Sequence, residues 1–532
     1  MRVSSRSRRG LTAAAGAILS LALVAGCGGS DVQEAATGVD SVATDTTDAA
    51  ATDPGAVDTG TAAVPGAPAA DTGAGTAANP NAAGAGAGAA GAGAGAAGGA
   101  ADTTGKGAGK GGAAGAGGTG AAAGAATGSA VEQMVATNAI FGGTAACKPA
   151  TGSPVNIGNV STLSGVLGEL FSPVRPALET FVAAQNACGG LNGHKINFTI
   201  ADDQGDPSTA STKVQELIQS KKVLAFVGNI QVLTIDAVVP IIKKSGIPII
   251  GSDITNSTWF TQSLLFPQGP PGQGVAYGYL DGALNYHKKK NVGNIWCIEV
   301  PRACEQINRA MKELAPQLGA TFKKDIQVSI TSPSYVQQCL DFKAAGVEAL
   351  ALTFDAASMN RLARSCTQVG YFPKVMPYPL GVGNEGQFLQ GNKWLGDAYV
   401  TMNHFPWFAS NTPAEKYWQA SIKKYNPGFV SGGAASLGWS AGALLVAAST
   451  GLTADNPTTA QLLQTLYTFK GQKFTTLGGL TGPLTFREGS TPKVPYCLFA
   501  GIGNAENTGW AKAISKPTCT DVIAPSDPQK SS

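Results

Sequence analysis

The stretch Lys221–Thr255, KKVLAFVGNIQVLTIDAVVPIIKKSGIPIIGSDIT, decides the fold. Val223–Gly228 is a short apolar run with β-branched and aromatic residues, the composition of a strand buried on both faces. Thr234–Ser245 carries apolar residues on more than one side and stops before Gly246, a helix terminator. Pro248-Ile249-Ile250 opens a second buried strand. A strand–helix–strand crossover sets the two strands parallel, and open parallel sheets bind ligands beyond the carboxyl ends of their strands. The loops Gly228–Leu233 and Gly251–Thr255 are therefore the predicted functional positions.

The same alternation extends upstream. Pro154–Val160 reads as a strand followed by the loop Ser161–Gly165, and a helix carrying Pro176, Leu178, Phe181 and Val182 runs to about Ala187. Gly189–Gly193 is a turn, Lys195–Ile200 a strand, Ala201–Pro207 a loop and Ser208–Ser220 a helix. The order β-α-β-α-β-α-β predicts an α/β protein with a doubly wound parallel sheet.

Several short segments, in this order and spacing, resemble one family. They are Leu163-Ser164-Gly165, the Cys188–Gly193 turn, Asp202–Pro207, the Val227-Gly228 strand end and Ser245–Ile250. Asn291–Ile298, Phe342–Leu350, Gly370–Pro373 and Gly479–Phe486 continue the series. Together they resemble the type I periplasmic binding proteins, the leucine/isoleucine/valine-type solute receptors of ABC importers, over about 150–515. The resemblance implies two α/β lobes, 150–270 with 410–492 and 271–409 with 493–520, that close on a ligand by a hinge motion. It implies a small-molecule ligand, an ABC permease as membrane partner, no cofactor and no catalysis. A ligand-sensing receptor of the same fold is the second reading.

Position in the loops selects the expected ligand contacts: Leu163, Ser164 and Gly165; Asn229 and Gln231; Ser252, Asp253 and Thr255. The second lobe adds Arg302, Phe354, Asp355 and Tyr378. Ser252–Thr255 also reads as a helix N-cap ahead of Asn256–Gln262. Amino-acid receptors of the family carry a serine near Val232, an acid near Tyr378–Leu380 and an aromatic near Pro301-Arg302-Ala303. This chain keeps only their threonine, Thr255. A buried ammonium without a carboxylate is costly, so a plain α-amino acid would need Asp253 or Asp355. Arg302 offers a fork for a carboxylate. With Phe354 and Tyr378 it points to an aromatic or aliphatic carboxylate, or an amide.

Residues 1–27 read as a leader. Arg2, Arg6, Arg8 and Arg9 precede the apolar Leu11–Gly26, and Leu23-Val24-Ala25-Gly26-Cys27 looks like a bacterial lipobox. That implies cleavage before Cys27, a lipid on it and anchoring to the outer face of the cell membrane. From Gly28 to about Ala136 the chain is Ala, Gly, Thr, Asp and Pro, which cannot bury enough apolar surface to order itself. It reads as a disordered tether 28–136, with the globular part starting near Cys147.

The formal net charge is +3. Removing the leader's four arginines leaves 33 Lys and Arg against 34 Asp and Glu, so no basic footprint for nucleic acid exists. Beyond Cys27 eight cysteines remain, an even number suited to disulfides in an exported chain, and eight allow 105 pairings. Pairing neighbours in sequence gives Cys147–Cys188, Cys297–Cys304, Cys339–Cys366 and Cys497–Cys519. No CxxC or HExxH occurs, a poor pattern for a metal.

Gly438-Trp439-Ser440-Ala441-Gly442 matches GxSxG, the nucleophile elbow of α/β-hydrolases, but that order needs a histidine after the serine. His194, His287 and His404 all precede it. The surrounding Leu437–Ser449 reads instead as a close-packed helix, which leaves a serine hydrolase as the third and weakest reading. His287 falls in the lysine-rich run Tyr286–Lys290 and is expected in solvent; His404 falls in an aromatic stretch near a lobe crossing.

Overall fold

The strand Ala225–Asn229 is buried at every position, and so is Ala349–Thr353. Uninterrupted burial requires helices over both sheet faces, and the chain supplies them by alternation. The computed structural model describes residues 128–530, which fall in one compact unit. The leader, Cys27 and the chain up to residue 127 lie outside the described residues.

The elements begin with α1 (Gly128–Thr137), β1 (Gly152–Ser161), α2 (Gly168–Phe171), α3 (Val174–Asn186), β2 (His194–Asp202), α4 (Pro207–Gln219) and β3 (Ala225–Asn229). Then follow α5 (Ile235–Ser245), β4 (Ile249–Ser252), β5 (Leu265–Phe266), α6 (Gly272–Asp281), β6 (Asn291–Cys297), α7 (Pro301–Leu318), β7 (Thr321–Val328) and α8 (Val336–Ala344). Next come β8 (Ala349–Thr353), α9 (Ala356–Gln368), β9 (Lys374–Pro377), α10 (Glu385–Phe388), β10 (Tyr399–Met402) and α11 (Pro413–Tyr425). Last are α12 (Gly433–Ala448), α13 (Thr459–Leu466), β11 (Tyr496–Gly503) and β12 (Trp510–Thr520).

Two sheets are parallel throughout, in the orders β2-β1-β3-β4-β5 and β7-β6-β8-β9. In each, the first strand in sequence lies inside and the second pairs on its outer side, which marks a doubly wound sheet. A third sheet, β10-β11-β12, is antiparallel. It was not expected from the sequence, because no residue of β12 is fully buried and the strand gives no buried-strand signal. After β10 the chain returns to the first sheet, where α12 packs on α3, β3 and β4.

The helix α12 explains the small residues of the GxSxG match. Every one of its residues is buried. A Cβ on Gly442 would lie 2.7 Å from the Phe181 ring, and one on Gly251 would lie 2.5 Å from Ala441. Gly251 also has φ +59°, which only glycine adopts freely. Trp439 fills the remaining space against Trp418 and Phe181, with ring centroids 4.9 and 6.2 Å away. The Ser440 hydroxyl donates to the Leu437 carbonyl at 2.9 Å, inside the helix.

The folded body starts earlier than expected. Residues 128–136, read as the end of the tether, form most of α1, with Val131 fully buried and Ile140 and Phe141 buried just beyond. A few large apolar residues at helical spacing within a small-residue tract suffice to dock it. The other end is also longer than the 493–520 segment: Ala524 is fully buried and the Ser526 amide donates to Glu313 at 2.9 Å.

All four sequence-neighbour disulfides are present: Cys147–Cys188, Cys297–Cys304, Cys339–Cys366 and Cys497–Cys519.

His287 is a correction. Its side chain is almost fully covered and lies 3.9 Å from Asp397, and the expected solvated position is not observed. The aliphatic and aromatic bodies of neighbouring side chains (Tyr286 at 4.7 Å) shield it although its sequence neighbours are charged. His404 is core, with Nδ1 3.1 Å from the Ser436 hydroxyl. His194 opens β2 fully buried, between the carbonyls of Ser153 and Thr453 at 2.6 and 3.0 Å.

Candidate functional site

The carboxyl ends of both parallel sheets face a common cavity of about 480 Å³, counting the part open to solvent. The first-sheet side contributes Leu167, Leu170 and Phe171, which follow β1, then Val232 after β3 and Thr255 after β4. The second-sheet side contributes Cys297, Glu299, Val300, Ala303, Cys304 and Ile307 around the β6–α7 junction, and Ile330 after β7. Thr353, Phe354 and Asp355 close β8, and Tyr378 and Leu380 follow β9. Apolar walls with a few polar groups are the usual makeup of a small-molecule site.

Of the expected contacts, Thr255, Phe354, Asp355 and Tyr378 line this cavity. Leu163, Ser164 and Gly165 do not. Their loop folds onto Asp202, whose carboxylate accepts the Leu163 amide at 2.9 Å and the Ser164 hydroxyl at 2.5 Å. Partial burial pushes the Asp202 carboxyl up, yet these hydrogen bonds outweigh it and hold it below the usual range. The residues that do reach the cavity from this segment come a few positions later, at Leu167, Leu170 and Phe171.

Asn229, Gln231, Ser252 and Asp253 are fully buried in a polar layer at the strand ends, outside the lining itself. Asn229 donates to the Gln231 side-chain oxygen at 3.0 Å, and the Ser161 hydroxyl bridges Asn159 and the Ile230 amide. Asp253 Oδ1 accepts the Thr255 amide at 3.0 Å and its hydroxyl at 2.5 Å, whereas Oδ2 has no partner. Burial pushes this carboxyl up to about 6, against the pull of the Thr255 hydrogen bonds. Tyr378 is raised well above the usual phenol range, by burial first and then by the nearby Asp253.

Arg302 stands at the rim, outside the lining. It forms an ion pair with Asp236 of α5, with both side chains about half exposed (54 and 51 %). Since Asp236 belongs to a first-sheet helix and Arg302 to a second-sheet helix, the pair joins the two halves. Gln306 reinforces it by donating to the Ser257 hydroxyl at 3.0 Å, and Gln387 pairs with Glu169 on another part of the rim.

A lining carboxylate absent from the sequence-based expectation is Glu299. Its Oε1 accepts the Ser329 hydroxyl at 2.6 Å and the Ile330 amide at 3.0 Å, and its buried Oε2 has no partner. The strand-end rule that selects the other loops also points to it, two residues after β6, but Arg302 is the more conspicuous charged group of the same loop. The disulfide Cys297–Cys304 spans this junction and forms part of the wall. Among the described residues no cluster of His, Cys, Asp and Glu could hold a metal ion, and no helix is long and apolar enough to cross a membrane.

This architecture has many counterparts among solved structures. The branched-chain amino acid transporter substrate-binding protein LivJ of Streptococcus pneumoniae, in complex with isoleucine, superposes with a TM-score of 0.56 at 16% identity, over 69% of this chain and all of that one. A solute-binding protein from R. palustris in complex with benzoate gives 0.54 at 16%, over 70% and 99%. A fatty acid ABC transporter substrate-binding protein from Thermomonospora curvata gives 0.56 at 16%, over 73% and 96%. Among curated proteins, the chemotactic signal transduction system substrate-binding protein BasB of Halobacterium salinarum is 35% identical over 81 residues. That match spans 15% of this chain and a fifth of BasB's length. Residues 154–500 match the profile of the family described as periplasmic binding protein. The chain thus belongs to the periplasmic binding protein family, and its fold is the type I fold of these solved solute-binding proteins.

Proposed function

We propose that this chain encloses a small, largely apolar organic molecule between lobes 150–270 with 410–492 and 271–409 with 493–520, and delivers it to an ABC permease. The observation that carries the reading is a cavity lined from the strand ends of both sheets, with polar groups at few points. Lipid on Cys27 would hold the protein to the outer face of the membrane, and the Ala/Gly-rich segment would act as its tether. Relatives of the same fold are solved with isoleucine and with benzoate, and one is named for fatty acids, so the shared scaffold accommodates different apolar bodies, there each bearing a carboxylate.

A thermal-shift screen over amino acids, amides, amines and carboxylates tests this. A ligand at one hundred times its dissociation constant stabilises the folded state by about 2.7 kcal/mol. At least one compound should shift the transition; a flat response across a broad solute library would remove the reading. The partial likeness to BasB supports a second reading, a receptor that reports ligand to a signalling partner. Loss of ligand uptake on deleting the gene supports transport, whereas retained uptake with a lost behavioural or transcriptional response supports sensing.

A further inference from the structure

Resting on the solute-binding reading, we infer that the ligand carries a hydrogen-bond-donating head, an amine or amide N–H, on an apolar body and has no carboxylate. The cavity offers acceptors where a carboxylate would need donors. Glu299 Oε2 is buried there without a partner, while Oε1 is held by Ser329 and the Ile330 amide, so the free oxygen is fixed in place. An unpartnered buried carboxylate oxygen is costly until a ligand donor meets it.

The threonine hydroxyls of the lining are engaged, that of Thr353 with the Asn294 side-chain oxygen at 3.0 Å. The Thr255 amide and hydroxyl both go to Asp253 Oδ1. The second carboxylate of the lining, Asp355, accepts from the Ser358 amide at 2.9 Å and from its hydroxyl, capping α9. No Lys, Arg or His lines the cavity. Two arginines stand close by and are engaged: Arg302 pairs with Asp236 at the rim, and Arg361, in a groove that adjoins the cavity at Leu170, Ile330 and Asp355, donates to the Ser332 carbonyl at 3.0 Å and the Ser358 hydroxyl at 2.7 Å. A ligand carboxylate placed beside Glu299 would meet a like charge in a part of the cavity that no Lys, Arg or His lines, a placement that like charges and desolvation both oppose.

The test uses the full chain and two matched series: benzylamine, benzamide and benzoate; pentylamine, pentanamide, pentanoate and norvaline. Calorimetric titration should show the amine or amide of a series binding at least tenfold more tightly than its acid. Glu299→Gln should weaken that compound at least tenfold with the thermal midpoint of the free protein little changed. The wild-type ranking stands on its own should the variant fold poorly. Preference for benzoate, pentanoate or norvaline, lost on filling the cavity with Ala303→Trp, overturns this inference and leaves the solute-binding reading intact. Absence of any cavity-dependent binding overturns both.

Discussion

Arg302 of α7 and Asp236 of α5 form an ion pair that ties the second-sheet half of the molecule to the first. Its carboxylate partner belongs to the protein and it sits outside the cavity lining, so its role is to hold the two halves together at the rim. Exposed pairs of this kind contribute about 0.2–1 kcal/mol. Arg302→Ala should therefore weaken ligand affinity only a few-fold, by shifting the equilibrium away from the closed form. The effect should shrink at high salt, where exposed charges are screened. Titration at low and high ionic strength checks this; a loss of a hundredfold or more, insensitive to salt, would instead make Arg302 a direct ligand contact.

Buried titratable groups give opposite pH signatures. Burial lowers His287 and His404 to about 4 from 6.5. For each, the unfolded chain binds more protons between those values, so stability is lost as pH falls from 6.5 to 4. Asp253 is raised from 3.8 to about 6, so the folded chain holds the extra proton and stability is lost as pH rises through that window. Asp253→Asn should gain on the order of 2–3 kcal/mol at pH 7, at about 1.4 kcal/mol per pKa unit, with the gain vanishing below pH 4. Urea denaturation from pH 4 to 7 measures it. A gain that is the same at both ends would mean that charge burial is not its origin.

Ser440→Ala should leave ligand binding unchanged and cost about 1 kcal/mol, the worth of the hydroxyl's bond to the Leu437 carbonyl. Gly251→Ala should be far worse, at roughly 2–5 kcal/mol, combining left-handed backbone strain with overpacking against Ala441. Chemical denaturation ranks the two. Equal costs would contradict the packing of α12 on β4.

The Cys297–Cys304 bridge closes a short loop that forms cavity wall. Loop-closure entropy for so short a segment corresponds to about 2–3 kcal/mol. Replacing both cysteines with serine should lower the unfolding midpoint and weaken ligand binding together. By contrast, removing Cys339–Cys366, where neither residue lines the cavity, should lower stability alone.

Lys221–Thr255 was legible because two fully buried strands flank a helix stopped by Gly246, and such apolar runs have few alternatives. The disulfides were legible because sequence neighbours happened to be spatial neighbours. The site was legible only in part. Strand-end logic finds the loops, but it cannot say which side chains turn inward: Ser164 folds back on Asp202, while Phe171, ten residues past the start of its loop, reaches the cavity. Glu299 was hidden for the same reason, since its position depends on Ser329 and Ile330, thirty or so residues away along the chain. β12 was missed because an edge strand in an antiparallel sheet faces solvent and carries no apolar run.

In the proposed binding mode, solute is enclosed between Ala303 and Ile307 on one side and Phe171, Val232 and Thr255 on the other. Ala303 is buried in the wall, so Ala303→Trp would fill the space without touching the polar layer beneath. Calorimetric titration of wild type and Ala303→Trp with the compound found by thermal shift decides whether the ligand sits there. Loss of binding by a hundredfold or more in a variant that still unfolds cooperatively is the expected result; unchanged affinity would place the ligand outside this cavity.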